Sequence, residues 1–146
     1  PYKTNFSAAM IPNGRKKPSE GGGPAYYFQM GEGRLFFAVG EYMPPSDRLK
    51  AIRQHMIDDE AGFKKLLNNK KLKATYGQLV EEGKLQRPPK GYDPEHPHIE
   101  YLKLKSMMVW TEVPLKGLLH DDVKSRLVSG FQDAFPLVTW LRTAGE

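Results

Sequence analysis

The residues best suited to chemistry in this chain are basic side chains and tyrosines that recur along its length. Arginine presents a planar fork of N–H donors that matches phosphate and carboxylate groups, and lysine adds a positive charge on a long stem. Tyrosine offers a hydroxyl that orients a ligand and a ring that covers its apolar part. This mixture is typical of a site for a small anionic or phosphorylated ligand. The candidates are Lys3, Tyr26, Arg53, Arg87, Lys90 and Tyr92, with further hydroxyls at Tyr2 and Tyr27.

Each of these side chains also has a purely structural alternative. Arg53 can pair with Asp59, Arg87 can pair across a strand, and the tyrosines can lie in the core with their hydroxyls bonded. A shared pocket requires the sheet to converge with a proline-rich loop. The anionic-ligand hypothesis therefore depends on which distant residues meet in the fold.

A second candidate site is the pair His96 and His98, which flank Pro97 close to Asp93 and Glu95. A His-x-His pair in an extended chain can supply two ligands to zinc or iron. Two or more further ligands are needed, and no strong ligand spacing accompanies the pair. The alternative is that both rings stabilise the loop or cap the following helix. The pair keeps open a metal-dependent enzyme of unrecognised class.

Other catalytic patterns are absent from the sequence. No serine lies in a nucleophile elbow such as Gly-x-Ser-x-Gly, and there is no cysteine to act as a thiolate nucleophile. Adjacent acids such as Asp58 and Asp59 usually mark helix starts or exposed turns. The sequence therefore identifies no catalytic residue, and it indicates neither a cofactor nor an oligomeric state.

The distribution of positive charge suggests a third hypothesis. The formal net charge is +5, from 22 basic and 17 acidic residues. A lysine cluster attracts polyanions such as nucleic acid, which gives an interaction module as an alternative function. No aromatic residue is interleaved with the lysines to stack on bases, and this favours an ordinary solvated helix surface. The cluster consists of Lys64, Lys65, Lys70, Lys71 and Lys73.

Length and composition indicate one soluble domain over residues 1–146. The chain is 39% hydrophobic and 27% charged, which suffices for one core and not for two. No run approaches the roughly 18 apolar residues of a membrane span, so we expect no membrane insertion. Because there is no cysteine, no disulfide framework can form, and we expect a cytoplasmic location.

Four strands and several helices are predicted to position these side chains. Residues 2–10 alternate weakly, 25–30 and 35–39 are aromatic, β-rich runs joined by a glycine turn, and 107–113 reads as a strand. Apolar residues at helical spacing predict helices over 47–57, after a cap at Asp58 or Asp59, around 99–102, and from Val123 to a break at Pro136. The prolines of residues 87–98 predict a rigid loop. The predicted fold is α+β, a mostly antiparallel sheet packed against the central and C-terminal helices.

Two local predictions depend on single residues. Ser46 is a plausible N-cap for the helix over 47–57, because its hydroxyl can accept a bond from the first helical turn. Glu82 and Gly83, between two short apolar runs, predict a second hairpin.

The order of these segments resembles a widespread bacterial and fungal family known as domain of unknown function 2461. The run Pro1–Phe6 is similar to the last six residues of the family's KTPYKTNF signature. The likeness continues through 26–28, 40–44, 85–92 and 135–141. It covers essentially the whole chain and implies no activity. Family members usually carry a helical region before this signature, so the resemblance implies that the chain is the C-terminal two-thirds of a larger family domain.

Overall fold

The computed structural model describes residues 5–11 and 15–145. Within them, four strands form one antiparallel sheet in which each strand pairs with the next along the chain. Helices pack on one face of this sheet, which confirms the predicted α+β fold. The strands are β1 (Asn5–Met10), β2 (Ala25–Gly31), β3 (Arg34–Glu41) and β4 (Met107–Pro114).

The turn between β2 and β3 shows why the predicted hairpin forms. Glu32 and Gly33 connect the paired residues Gly31 and Arg34, and their φ angles are 54° and 74°. Two positive φ angles in a two-residue turn match the right-handed twist of the strands, and glycine adopts such an angle without steric cost. The weakly alternating strand predicted over residues 2–10 is found from Asn5 onward, and residues 2–4 lie outside the described part.

The helices begin and end at recognisable signals. Asp59, one of the two predicted caps, caps one helix by accepting a bond from the backbone N–H of Gly62. Ser46 is instead the first helical residue, and Pro45 occupies the cap position without a side-chain bond. A 3₁₀ turn spans Pro18–Glu20. In the described residues the helices are α1 (Ser46–Asp58), α2 (Glu60–Leu67), α3 (Lys70–Tyr76), α4 (Ile99–Leu102), α5 (His120–Asp133) and α6 (Phe135–Arg142).

The predicted break in the C-terminal helix near Pro136 is confirmed. Ala134 separates α5 from α6, and Pro136 is the second residue of α6, where its missing N–H costs no helical bond. None of the helices in the described part of the chain has the length and apolar character that crossing a bilayer requires.

The core lies between the sheet and the helices. Along β3, the alternate side chains Leu35, Phe37 and Val39 face the helices and are buried. Helices α1, α2 and α6 contribute apolar residues spaced to lie on one helix face, as the sequence pattern predicts. Helix α3, which the sequence did not predict, adds the buried side chains of Leu72 and Tyr76. Fully buried helical residues include Ile52, Met56, Phe63, Leu102, Leu137 and Leu141.

The turn predicted at Glu82 and Gly83 forms, with the backbone N–H of Lys84 donating to the carbonyl of Glu81 at 3.0 Å, but the prediction that it joins two paired strands is wrong. Val80 and Leu85 do not pair with each other, because their backbone N–H groups bond elsewhere: Val80 to the carbonyl of Met108 at 2.9 Å, and Leu85 to that of Lys103 at 2.9 Å. Residues 77–85 therefore form a loop that runs beside β4 and the segment before it.

Candidate functional site

The face of the sheet opposite the helices, here called the open face, carries the side chains that alternate with the core residues. Strand register places these side chains in three zones along the strands. One end is polar, the middle is aromatic, and the other end is small and apolar. The polar zone contains Ser7, Gln29, Arg34 and Glu112, and Arg34 pairs with Glu112.

The aromatic zone is a row of three rings across β2, β3 and β4. Phe36 lies in the middle, with its ring centroid 6.0 Å from that of Tyr27 and 5.4 Å from that of Trp110. The rings occupy diagonal positions on neighbouring strands, a distance that long aromatic side chains can bridge. The hydroxyl of Tyr27 donates to Oε1 of Gln29 at 2.8 Å. This hydrogen bond links the aromatic row to the polar zone.

The third zone contains a hollow of about 600 Å³, which we call the open-face hollow. It exists because the side chains at its floor are small. Ala9, Ala25 and Ala38 leave space that larger residues would fill, and Gly40 has no side chain. At Gly40, φ is 129° and a Cβ atom would lie 2.2 Å from the carbonyl oxygen of Met107, so only glycine fits.

Two further segments wall the open-face hollow. The 3₁₀ turn contributes Ser19 on one side, together with Lys17 just before the turn. Tyr42 and Glu82 lie on another side, and the Tyr42 hydroxyl donates to the Glu82 carboxylate at 3.0 Å. This hydrogen bond and the carboxylate charge raise the pKa of Tyr42 above its usual value. The hollow is thus apolar at its floor and polar at its rim.

The rim has a basic side. Lys17 follows Arg15 and Lys16, and all three side chains are exposed. Glu82, the acid at the opposite wall, is engaged by Tyr42. An anionic group at the rim would therefore find its counter-charge next to the 3₁₀ turn.

Two residues predicted to form an anion pocket do meet. Arg53 of α1 lies near Tyr92 of the proline-rich loop, and its Nη2 donates to the carbonyl of Leu104 at 3.2 Å. Burial lowers the pKa of Arg53, and the nearby Tyr92 opposes that shift. The Nε of Arg53 is buried and has no hydrogen-bond partner among the described residues. Asp59, the alternative partner for Arg53, instead caps α2.

The other members of that predicted pocket make contacts elsewhere, are exposed, or lie outside the described residues. Tyr26 packs under α5, with its ring centroid 5.0 Å from that of Phe131. Its pKa is raised by burial and lowered in part by Arg142. Arg87 and Lys90 are exposed on the proline-rich loop. Lys3, like Tyr2, lies outside the described residues, so the complete pocket stays a prediction.

His96 and His98 interact with each other and with the core. Nδ1 of His96 accepts a hydrogen bond from the backbone N–H of His98 at 3.0 Å, and the His98 ring packs edge-on against Phe63 with centroids 5.2 Å apart. The Nε2 of His98 lies 3.7 Å from the Glu60 carboxylate. No group of three or more metal-ligating side chains occurs in the described part of the chain. The metal site stays a prediction, and the contacts agree with the alternative of a stabilised loop.

The five lysines between Lys64 and Lys73 lie on α2 and α3, and all are exposed. Lys64 and Lys73 line a second hollow, of about 430 Å³, between these helices and the loop of residues 77–84. Polyanion binding by this surface stays a prediction.

Sequence reasoning missed the open-face hollow, although one signal for it was present. Residues 35–39 form an unbroken apolar run, which is typical of a strand that is covered on both faces. The helices cover one face only. The alanines of the floor carry no signal singly, because alanine is common in every environment.

These features define an α+β domain whose antiparallel sheet is packed by helices on one face and carries an aromatic row and a hollow on the other. The chain belongs to the family described as conserved hypothetical protein (DUF2461), whose model matches residues 1–140, and this confirms the resemblance seen in the sequence. Comparison with curated proteins and with solved structures gave no match. The family description names neither a ligand nor a reaction.

Proposed function

We propose that the protein binds a small organic molecule that joins a flat apolar part to an anionic group, in the open-face hollow. One observation carries this proposal: the row of Tyr27, Phe36 and Trp110 borders a hollow of about 600 Å³ whose floor is made of alanine and glycine. Flat ligands pack well on aromatic walls, and pockets of this size and mainly apolar lining suit small molecules.

We assign an anionic group to the ligand because the rim of the open-face hollow carries basic side chains. Lys17 lines the hollow, and Arg15 and Lys16 precede it. A carboxylate, sulfonate or phosphate on the ligand can reach these side chains while the rings remain on the floor. Since an exposed charge pair contributes only about 0.2–1 kcal/mol, the apolar part supplies most of the affinity.

The test uses two fluorescent dyes that share one ring system: anilinonaphthalene sulfonate, which is anionic, and phenylnaphthylamine, which is neutral. At about 0.3 kcal/mol per non-hydrogen atom, a ligand of about 20 such atoms gains about 6 kcal/mol, or a Kd of about 40 μM. We expect both dyes to bind with one site per chain, and the sulfonate about threefold more tightly. Near-UV circular dichroism must show fixed tertiary structure, because loosely packed states also bind such dyes.

Three variants locate the dye. Ala9→Leu fills the hollow from an exposed position and should weaken both dyes by about tenfold or more, since it removes the space that the rings need. Ser7→Leu is the matched control, because Ser7 is on the same strand and face in the polar zone. Lys17→Gln should remove the preference for the sulfonate and leave the neutral dye unchanged. Equal affinities in the wild type, Ala9→Leu and Ser7→Leu would overturn the proposal.

A second candidate function is phosphate binding at Arg53. The observation that favours it is the buried Nε of Arg53, which lacks a hydrogen-bond partner among the described residues and lies in the neighbourhood of Tyr92. Arg87 and Lys90, on the same loop as Tyr92, would supply further charge. Calorimetric titration with inorganic phosphate should show binding that Arg53→Lys weakens by about tenfold, because lysine cannot present the planar fork. Phosphate binding that Arg53→Lys leaves intact would exclude this site.

A further inference from the structure

The hollow of about 430 Å³ between α2, α3 and residues 77–84 brings together two lysines from different helices. Lys64 reaches it from the last turn of α2, and Lys73 from the last turn of α3. We call it the lysine hollow. Neither lysine forms an ion pair with any residue in the described ranges.

The acids around the lysine hollow are already neutralised by other groups. Glu81 and Glu100 line it, and both bind the ammonium of Lys84, at 3.4 Å and 3.3 Å. Glu100 also pairs with Lys103 at 2.7 Å. The unmatched charge of the hollow is therefore positive and belongs to Lys64 and Lys73.

The backbone that carries these two lysines is held in place by asparagines. The side chain of Asn69 accepts a bond from the backbone N–H of Leu72 at 3.0 Å and so caps α3. The side-chain amide of Asn68 donates to the carbonyl of Lys64 at 3.0 Å and closes the end of α2. The end of α2 and the start of α3 therefore meet at a defined turn between the two lysines.

The walls of the lysine hollow are mainly aliphatic. Leu67 and Leu79 are half-buried at its surface, and Leu66, Leu72, Leu104 and Val109 lie beneath. Tyr101, which also lines the hollow, packs edge-on against Phe63 with centroids 5.4 Å apart. An occupant that uses these walls must itself have an aliphatic part.

We infer that the lysine hollow binds a phosphate monoester with an aliphatic organic part, the phosphate lying between Lys64 and Lys73. A doubly charged phosphate matches two ammonium groups that approach from different elements, and charge-assisted hydrogen bonds are the strong ones. The aliphatic walls favour this occupant over a nucleic acid, whose bases require aromatic side chains for stacking. The site is separate from the open-face hollow, with which it shares no lining residue.

Calorimetric titration with hexyl phosphate tests the inference, with inorganic phosphate, hexanol and a single-stranded oligonucleotide as comparisons. We expect hexyl phosphate to bind at least about tenfold more tightly than inorganic phosphate or hexanol, because only it satisfies both parts of the hollow. The double variant Lys64→Gln with Lys73→Gln should lose about tenfold in affinity for hexyl phosphate.

The matched control is Lys65→Gln with Lys71→Gln, which removes the same charge from the same two helices outside the hollow. It should leave the affinity for hexyl phosphate within about twofold, because screened charges act weakly at a distance. An equal loss in both double variants would overturn the site. Salt-sensitive binding of the oligonucleotide that both variants weaken equally would assign the lysines to a polyanion surface instead.

A lipid headgroup is the other source of a phosphate ester. Co-sedimentation with vesicles that contain phosphatidic acid distinguishes it, and we expect none, because the lysines border a recess rather than a flat surface. Co-sedimentation that depends on Lys64 and Lys73 would overturn a free ester as the ligand. Ala9→Leu, which fills the open-face hollow, should leave the affinity for hexyl phosphate unchanged. The tests of the lysine hollow and of the open-face hollow can therefore fail independently.

Discussion

Phe36 and Trp110 lie with their ring centroids 5.4 Å apart on the face of the sheet that the helices do not cover. Trp110 is 46% exposed, although its neighbours on β4, Val109 and Met107, are fully buried on the other face. Large aromatic side chains gain most when they are removed from water. The exposure of Trp110, at the end of an aromatic row beside a hollow, is the reason to assign binding to this face.

The first prediction concerns the two tryptophans, which lie on opposite faces of the sheet. Trp110 is 46% exposed, and Trp140 is 7% exposed. Acrylamide should therefore quench the fluorescence of Trp140→Phe, which retains Trp110, several times more strongly than that of Trp110→Phe. If acrylamide quenched both tryptophans of the monomer equally weakly, the prediction would be wrong, and the open face would be covered in solution.

The second prediction concerns a buried ion pair at the end of β3. Arg48 binds both carboxylate oxygens of the fully buried Glu41 at 2.8 Å, and it also donates to the carbonyls of Leu141 and Ala144. It thereby ties the end of α6 to the sheet. Arg48→Met leaves the Glu41 carboxylate buried without its cation and should lower the free energy of unfolding by about 3–5 kcal/mol. Urea denaturation measures this change.

The control for that prediction is the exposed pair of Arg34 and Glu112. Arg34→Met should cost less than about 1 kcal/mol, because solvent screens an exposed pair. Similar costs for Arg48→Met and Arg34→Met would show that Arg48 does not anchor the C-terminal helix.

The third prediction concerns the contact of α5 with the sheet. A Cβ atom at Gly130 would lie 2.3 Å from Cε2 of Phe37, and the carbonyl of Gly130 accepts a bond from the Tyr76 hydroxyl at 2.6 Å. Gly130→Ala should therefore destabilise the protein by about 1–3 kcal/mol, despite alanine's higher helix propensity. Ser129→Ala, at an exposed neighbouring position, should be nearly neutral.

A double mutant separates this steric cost from other effects of Gly130→Ala. If overpacking is the cause, Phe37→Leu should partly compensate, so that the double variant loses less stability than the two single variants together. Strict additivity of the two losses would contradict the overpacking explanation.

The fourth prediction concerns pH. Hydrogen bonds from Lys103 and Lys84 lower the pKa of Glu100 from its ordinary value of 4.5. The pKa of Glu100 is lower in the folded state than in the unfolded state. Ionised Glu100 therefore stabilises the fold at any pH above its unfolded-state pKa, and this stabilisation is lost as the pH falls through its folded-state pKa. At neutral pH, the melting temperature of the wild type should be slightly higher than that of Glu100→Gln. The difference should vanish in acid, and a difference that grows in acid would contradict the assigned direction.

The sequence predicted the elements whose signals are local. Gly33 marked the hairpin turn, Asp58 and Asp59 marked a helix start, and the apolar spacing of α1 marked its core face. The strand pairing predicted on either side of the turn at residues 82–83 is wrong, because the backbone partners of Val80 and Leu85 lie in a distant segment that local propensity does not encode.

The candidate sites were harder to predict, since each depends on residues that the fold brings together. Arg53 of α1 and Tyr92 of the proline-rich loop are 39 positions apart in the chain and come close only in the fold. Lys64 and Lys73 share a hollow because two asparagines end one helix and begin the next. The floor of the open-face hollow combines alanines from three strands, and only their register makes them neighbours.

A crystal structure of the protein with anilinonaphthalene sulfonate would show whether the open-face hollow binds the dye. We expect one dye molecule in the hollow, with its rings against Trp110 and Tyr27 and its sulfonate next to Lys17. A dye bound only at other places, or an open face that a second copy covers in solution as well as in the crystal, would contradict this expectation.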